Sequence, residues 1–542
     1  MHTLLGAQST PVERASSSDT IINPNAFIKF CLHLLLMRLS LGLFALLACA
    51  TYAHAFHPIS ASTKWRQAAQ RYVATDTCKE KSEAASSTET VWSVFGGIAQ
   101  ATGATNLGQG FPNWSPPPFV TKALMDTVNS PFHQYTRPAG HPALVKLLAE
   151  EYSQHLGRDI DGFKEIAITV GASQALYLSL RNYCKPGDEV IVMEPFFDLY
   201  LKQIELIGAT AKFVKLGGAG VSTVDDPWAL DFDRLESTIN EKTRAIVLNT
   251  PHNPTGRVIT RAEQEKIAAI VRRHPNIVVL VDEVYKYTVY DPPESGDSNS
   301  VGHFHFAQLP DMYDRTITLG SCGKTFGVTG WQIGWMVGPQ HLIKPVHDYL
   351  PCVQFCPSTT MQQALTNALQ VAHKPFQGAP SYYEWLRQQF MTKRNVLEQG
   401  LLAAGIEPLP SQGGFFVMAR LPLLDVSDYD DVDEPYDWKL CREIAKKYNI
   451  VGIPASSFFP PGYEKEFGPL ARFAFCKTDE TLKEARERCY NGAGKSFIAE
   501  SSDEGDDKNA HGVRGGDQCA AEAYVKRLSG DSKSDRTEYY SL

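Results

Sequence analysis

Residues 244–281 read RAIVLNTPHNPTGRVITRAEQEKIAAIVRRHPNIVVLV. Arg244 to Leu248 and Ile277 to Val281 are short apolar runs rich in β-branched residues, and each reads as a buried strand. Between them Thr260 is followed three residues later by Glu263, a capping-box pair that opens a helix. The same alternation extends upstream. Strand Glu165 to Val170, helix Ser173 to Tyr183, strand Val190 to Met193, helix Asp198 to Ile207 and strand Ala211 to Leu216 follow one another. Downstream, Thr316 to Leu319 is a further buried strand, expected to break at Gly320 into a loop. Apolar strands separated by helices imply an α/β fold with a mainly parallel sheet covered on both faces, whose ligands gather at the strands' C-terminal ends.

Those ends carry the candidate chemistry. In TITLGSCGKTFGVTGWQIGW at 316–335, Lys324 lies just past a strand among Phe326, Val328, Trp331 and Ile333. Desolvation there would lower the amine's pKa and favour the neutral nucleophile, although a surface lysine whose stem packs on aromatics would read the same. In NIVVLVDEVY at 276–285, an ionised Asp282 behind an apolar run needs a partner, because an unpaired buried carboxylate is strongly unfavourable; Glu283 and Lys286 read as ordinary solvated or paired charges. In LNTPHNPTG at 248–256, Pro251, Pro254 and Gly256 fix a turn that presents Asn253. Gly171, Ala172 and Ser173 open a helix whose free N–H groups suit a phosphate, and a plain strand-to-helix turn with Ser173 as N-cap reads equally well. EPFFDLY at 194–200 puts two rings after a strand, for stacking on a flat ligand or for the core. In RFAFCK at 472–477, Arg472 offers a planar fork for a carboxylate. The GQG of NLGQGFP is half a dinucleotide fingerprint, but Pro112 and Asn113 stand where a helix and a third glycine belong.

Ser321-x-x-Lys324 followed by Gly330-Trp331-x-x-Gly334 resembles the lysine motif of class I and II aminotransferases, fold-type-I enzymes that use pyridoxal phosphate. NLGQGFPN, EPFFDLY, VDEPYDW, IPASSF and SCGKTFGVTGWQIGW look most like the kynurenine aminotransferase and cysteine-S-conjugate β-lyase branch, in order over roughly residues 88–495. The resemblance implies a large domain with a mainly parallel seven-stranded sheet over 119–367 and a smaller α/β domain made of 88–118 with 368–497. It implies that Lys324 is joined to the cofactor and later moves the substrate proton, that Ala172, Ser173 and Ser321 hold the phosphate, and that Phe197 stacks on the ring. Asp282 would pair with the ring nitrogen, while Asn253 and Tyr285 would reach the ring oxygen. Arg472, with the Gly110 N–H and Asn253, would take the substrate carboxylate, and Trp92 would border the side-chain pocket. Tyr135, in HQYTRPAG, would reach the phosphate of the other subunit, so a homodimer is implied.

Three positions depart from the pattern. Gln332 stands where a phosphate-binding Arg or Lys is usual, Thr250 replaces the first Asn of N-P-x-N-P-T-G, and Ser173 and Gln174 replace a frequent Tyr and Gly. The activity implied is ping-pong transamination from an aromatic or sulfur-containing amino acid (kynurenine, glutamine, methionine or phenylalanine) to a 2-oxo acid. A β-lyase acting on cysteine conjugates and a non-catalytic pyridoxal-phosphate-binding homologue are the alternatives.

Composition bounds the rest. With 542 residues, 43% of them hydrophobic, the chain can bury a large core. A net charge of −8 offers no electrostatic footprint for nucleic acid. Eleven cysteines without paired spacing indicate neither a disulfide framework nor a metal site. Residues 27–55 are apolar but interrupted by Lys29, His33 and Arg38, which fits a targeting segment better than a membrane span. Leu41 to Ala50 forms its apolar region, Ala53-His54-Ala55 the cleavage signal, and the Ser-, Thr-, Lys- and Arg-rich stretch from Phe56 a transit-like segment. Together residues 1–85 resemble the bipartite leaders of proteins imported into secondary plastids, with ER or secreted routes and a retained membrane anchor as alternatives. Residues 498–542, poor in apolar side chains, are expected to be a disordered tail.

Overall fold

The seven strands that organise the molecule are β1 (Ile166–Val170), β2 (Glu189–Glu194), β3 (Thr210–Lys215), β4 (Thr243–Asn249), β5 (Val278–Asp282), β6 (Thr316–Ser321) and β7 (Ile333–Val337). They are seen in a computed structural model that describes residues 90–494 other than 219, 291–302, 431–432 and 461–466. The expected leader and tail lie outside the described residues. The strands form one sheet in the order β1-β7-β6-β5-β4-β2-β3. Every neighbouring pair is parallel except those made by β7, which runs antiparallel to both β1 and β6.

The absence of period-2 polarity in β2, β4 and β5 is explained by burial on both faces. Along β4, Ala245 and Val247 join one hydrophobic cluster and Ile246 and Leu248 the other. Burying one such side chain contributes roughly 1.5–3 kcal/mol, which favours an apolar run from Ala245 to Leu248 before Asn249 ends the strand. Helices α1 (Gly171–Tyr183), α2 (Asp198–Leu206) and α3 (Arg261–Arg273) cross over between strands. The capping box on α3 is formed as its sequence predicts, with the Thr260 side chain accepting from the Glu263 N–H and the Glu263 carboxylate accepting from the Thr260 N–H.

A second sheet is built from β8 (Glu407–Pro408), β9 (Phe416–Arg420), β10 (Ile453–Pro454) and β11 (Leu470–Ala474), in the order β10-β11-β9-β8 with every pair antiparallel. Its register sets Arg472 opposite Met418 on one side and Ile453 on the other. Among the described residues no helix is long and apolar enough to cross a membrane.

One expected boundary is displaced. β6 does not break into a loop at Gly320: it continues to Ser321, and Lys324 stands on the short helix α4 (Cys322–Phe326). Glycine is needed there for contact and not for a turn, since a Cβ at residue 320 would lie 2.2 Å from Nε1 of Trp335 on the antiparallel neighbour β7.

Candidate active site

Five strand ends converge on a cavity of about 470 Å³. Parallel register makes this possible. Asn249 at the end of β4 is paired with Asp282 at the end of β5, and Asp282 with Leu319 on β6. Every expected site residue but one lines the cavity: Trp92, Gly110, Ala172, Ser173, Phe197, Asn253, Asp282, Tyr285, Ser321, Lys324, Gln332 and Arg472. The exception is Tyr135. It is 81% exposed, is not part of this chain's cavity, and meets the Phe355 ring edge-on at 4.7 Å.

Lys324 Nζ donates to the Gly110 carbonyl at 3.1 Å and lies 5.9 Å and 5.5 Å from the ring centres of Tyr285 and Phe415. Burial lowers its pKa, with the Arg472 cation adding to the effect and the Asp282 carboxylate opposing it. The expectation of a desolvated amine therefore holds geometrically. Gly110 meets this amine through its carbonyl, whereas the sequence suggested only its N–H. A Cβ there would lie 2.6 Å from the Phe416 ring, so the backbone approach needs glycine.

Asp282 is 9% exposed, and burial raises its pKa. Two donors oppose that shift: the Tyr200 hydroxyl reaches Oδ2 at 2.6 Å and the Val284 N–H reaches Oδ1 at 3.3 Å. Each carboxylate oxygen has a second lone pair, so a cationic N–H facing the cavity can still be accepted. Tyr285 is buried, and burial pushes its phenol up, so at neutral pH it stays a donor.

Arg472 is 1% exposed, and burial lowers its pKa to about 10. Nη1 donates to Asn253 Oδ1 and Nη2 to the Gly108 carbonyl, both at 3.0 Å, while the buried Nε has no partner. The guanidinium lies 4.0 Å from the Phe416 ring centre, 4.6 Å from Phe458 and 5.1 Å from Trp92. A buried cation ringed by aromatics and left with an unpaired N–H fits a ligand carboxylate. Because Arg472 occupies Asn253 Oδ1, the Asn253 amide nitrogen remains free to donate to a ligand oxygen.

The phosphate side is built from backbone. Gly171 has φ +68 and begins α1, so the first N–H groups of that helix open at the cavity. Its own N–H donates to the Gln332 carbonyl at 2.8 Å, and a Cβ on it would lie 2.7 Å from Gln332 Oε1. Ser321 Oγ accepts from the Gly323 N–H at 3.1 Å and caps α4. Gln332 donates from Nε2 to the Thr329 carbonyl at 2.6 Å and brings no charge. The residues present thus fit a flat, phosphate-bearing pyridine carbonyl compound: an amine, a buried carboxylate opposite it, hydrogen-bond donors for the ring oxygen, and a helix N-terminus.

Sequence reasoning missed three contributors. Tyr200 fixes Asp282; it follows Phe197 by three residues on one helix face, and its ring meets Phe197 edge-on at 5.7 Å. Asn249, buried, donates to the Asp282 carbonyl and accepts from the Asn253 N–H, so it positions two site residues at once. Phe416 has no local signal, because only the β9–β11 pairing brings it to Arg472. Of the two readings of Glu283 and Lys286, solvated or paired, the structure shows the paired one: Lys286 meets Glu151 at 2.7 Å and Glu283 meets His303 and His305, all of them buried.

The chain matches the family model for aminotransferase class I and II over residues 102–488. It is 36% identical to kynurenine--oxoglutarate transaminase of Dictyostelium discoideum, an alignment covering 76% of this chain and 96% of that one. It is 39% identical to kynurenine--oxoglutarate transaminase 3 of Mus musculus, over 74% of this chain and 88% of that protein. The solved N-succinyldiaminopimelate aminotransferase of Mycobacterium tuberculosis superposes with a TM-score of 0.65 at 32% identity, over 75% of this chain and 97% of its own.

Proposed function

Since the chain belongs to the class I and II aminotransferases, which are pyridoxal-phosphate-dependent, we propose that it moves the amino group of kynurenine or a similar amino acid to 2-oxoglutarate. The observation that carries this reading is that Lys324, Asp282 and Arg472 line one cavity. When bound, the cofactor supplies the electron sink that makes loss of the substrate Cα proton feasible. The protein does the rest. Arg472 and the Asn253 amide orient the substrate carboxylate, Trp92 and Phe416 border an aromatic side chain, and Lys324 would accept the Cα proton as general base and pass it to the cofactor instead of back to Cα. Asp282, whose ionised form is favoured by the hydrogen bonds from Tyr200 and the Val284 N–H, would pair with a protonated ring nitrogen.

A homodimer follows in this reading. The support for it is that Tyr135 is exposed, held against Phe355 and outside its own chain's cavity. Import into a plastid by the leader rests on residues 1–85 alone; a fluorescent reporter fused to them would remain cytosolic if that assignment is wrong.

The decisive assay is the visible spectrum of the loaded enzyme on adding kynurenine without oxo acid. Loss of the cofactor band with release of kynurenic acid, absent in Lys324→Ala, supports the transaminase. A silent spectrum with kynurenine but a response to glutamine or methionine moves the substrate. Pyruvate and ammonia from a cysteine conjugate identify the lyase.

A further inference from the structure

The sequence, lacking metal-ligand spacing among its cysteines, gave no reason to expect a metal, yet outside the active site the fold gathers one set of donors suited to it. Glu283, the residue after β5, meets His303 and His305, and the three side chains are 0%, 5% and 4% exposed. One donor atom from each lies within 4.8 Å of the others, the one such group found among the described residues. The two histidines form His-x-His, whose alternate side chains project to one side of an extended chain.

We propose that Glu283, His303 and His305 bind one divalent transition-metal ion of the zinc type.

One pair of atoms points to an ion and not to a closed hydrogen-bond cluster. Glu283 Oε1 and His303 Nε2, both buried, are 3.3 Å apart, an ion-pair distance, but are not aligned for a hydrogen bond with each other or with any other described group. Two ligands at the usual 2.0–2.2 Å from a tetrahedral zinc ion stand about 3.4 Å apart. The separation is that of two ligands of a common ion.

His305 Nδ1, now 2.6 Å from Glu283 Oε2, completes the donor set once it turns from that oxygen to the ion, a movement of about 0.8 Å toward the ligand spacing of about 3.4 Å. The nearby Lys286 ammonium does not forbid a cation, because Glu151 neutralises it at 2.7 Å. None of the three ligands lines the active-site cavity, so the ion's role is structural. It would pin residues 303–305 to the end of β5, one residue beyond Asp282.

The test uses untagged holoenzyme freed of metal by a chelator, desalted, incubated with Zn²⁺ and dialysed. The expected result is close to one zinc per chain by mass spectrometry, with a raised melting temperature. Glu283→Gln and His303→Ala should each lose both effects, whereas Cys352→Ser, at an exposed thiol remote in sequence, should keep them. Co²⁺ in place of zinc should give ligand-field bands without a thiolate charge-transfer band. Wild-type protein that retains no zinc, or retains as much as the His303→Ala variant, or binds Co²⁺ through sulfur, would overturn the assignment. Because metal content of the wild type is read directly, misfolding of a variant does not rescue it.

Discussion

Gln332 brings no charge to the side of the cavity read as the phosphate site, and replacing it with lysine has a calculable effect. At about 4 Å, an ammonium and a phosphate gain roughly 4 kcal/mol at an effective dielectric of 20. Gln332 is exposed at the cavity rim, where measured ion pairs fall to about 1 kcal/mol or less. Weighting toward the exposed limit leaves about 1–1.5 kcal/mol, or about tenfold in affinity. Two other terms cancel. Residue 332 has φ +53, a strain that lysine shares with glutamine. The hydrogen bond to the Thr329 carbonyl, worth about 0.5–1.5 kcal/mol, is lost from the free and loaded protein alike, so it lowers the melting temperature without altering Kd. Titration of the cofactor-free protein with pyridoxal phosphate should therefore give a Kd about tenfold lower for Gln332→Lys and for Gln332→Arg, with the gain shrinking as salt is raised. A Kd within twofold of wild type for both variants, or a gain indifferent to salt, would show that the phosphate lies elsewhere or that its charge is already matched.

Three further substitutions probe separate parts of the site. Tyr200→Phe removes a donor to the charged form of Asp282, whose pKa burial already raises; the carboxyl should rise further, by about 1–2 pH units for a bond worth about 1.5–3 kcal/mol. Because activity needs the ionised form, the acid limb of the kcat profile should move up by that amount, and an unmoved limb would remove Asp282 from the titration. Arg472→Lys gives up the planar fork, and at about 1.5–3 kcal/mol should raise KM for amino acid and oxo acid together by about ten- to a hundredfold; a loss confined to kcat would put the carboxylate elsewhere. Gly320→Ala forces a methyl to 2.2 Å from Trp335 Nε1, whose N–H is held by the Tyr152 hydroxyl at 3.0 Å. Overpacking of that kind costs about 1–3 kcal/mol, so thermal denaturation should begin several degrees earlier, with the cofactor Kd unchanged.

How far such residues are legible in a sequence depends on whether their reason is local. Asp282 and Asn253 announce themselves, one because an acid closes an apolar strand and the other because two prolines and a glycine shape its turn. The strands are legible for the same cause, and β5 lies within a residue of its expected span. Glu283 and Lys286 belong to the opposite case. They stand beside Asp282 like solvated charges, and only the helix Pro142–Leu156 and the segment at 303–305 supply the Glu151, His303 and His305 that bury them. Gly320 misleads because glycine has two uses, and the sequence does not say whether it permits a turn or a neighbouring indole.

Asp282 shows how the two kinds of information combine. Its sequence position demands a partner, and a single cationic N–H in the cavity would satisfy that demand on paper. The fold supplies two protein donors first, Tyr200 from α2 and the Val284 backbone, both fixed before any ligand arrives. They offset part of the desolvation cost, so the carboxylate can stay ionised in the empty site, and each oxygen keeps capacity for one more donor. Arg472 is prepared in the same way. Asn253 and the Gly108 carbonyl hold two of its nitrogens, three rings cover its faces, and Nε is left unpaired. In both residues the fold satisfies enough of a buried charge to keep it folded inside and leaves enough unsatisfied to bind. That residual demand, more than the presence of an aspartate or an arginine, is what makes the cavity a site.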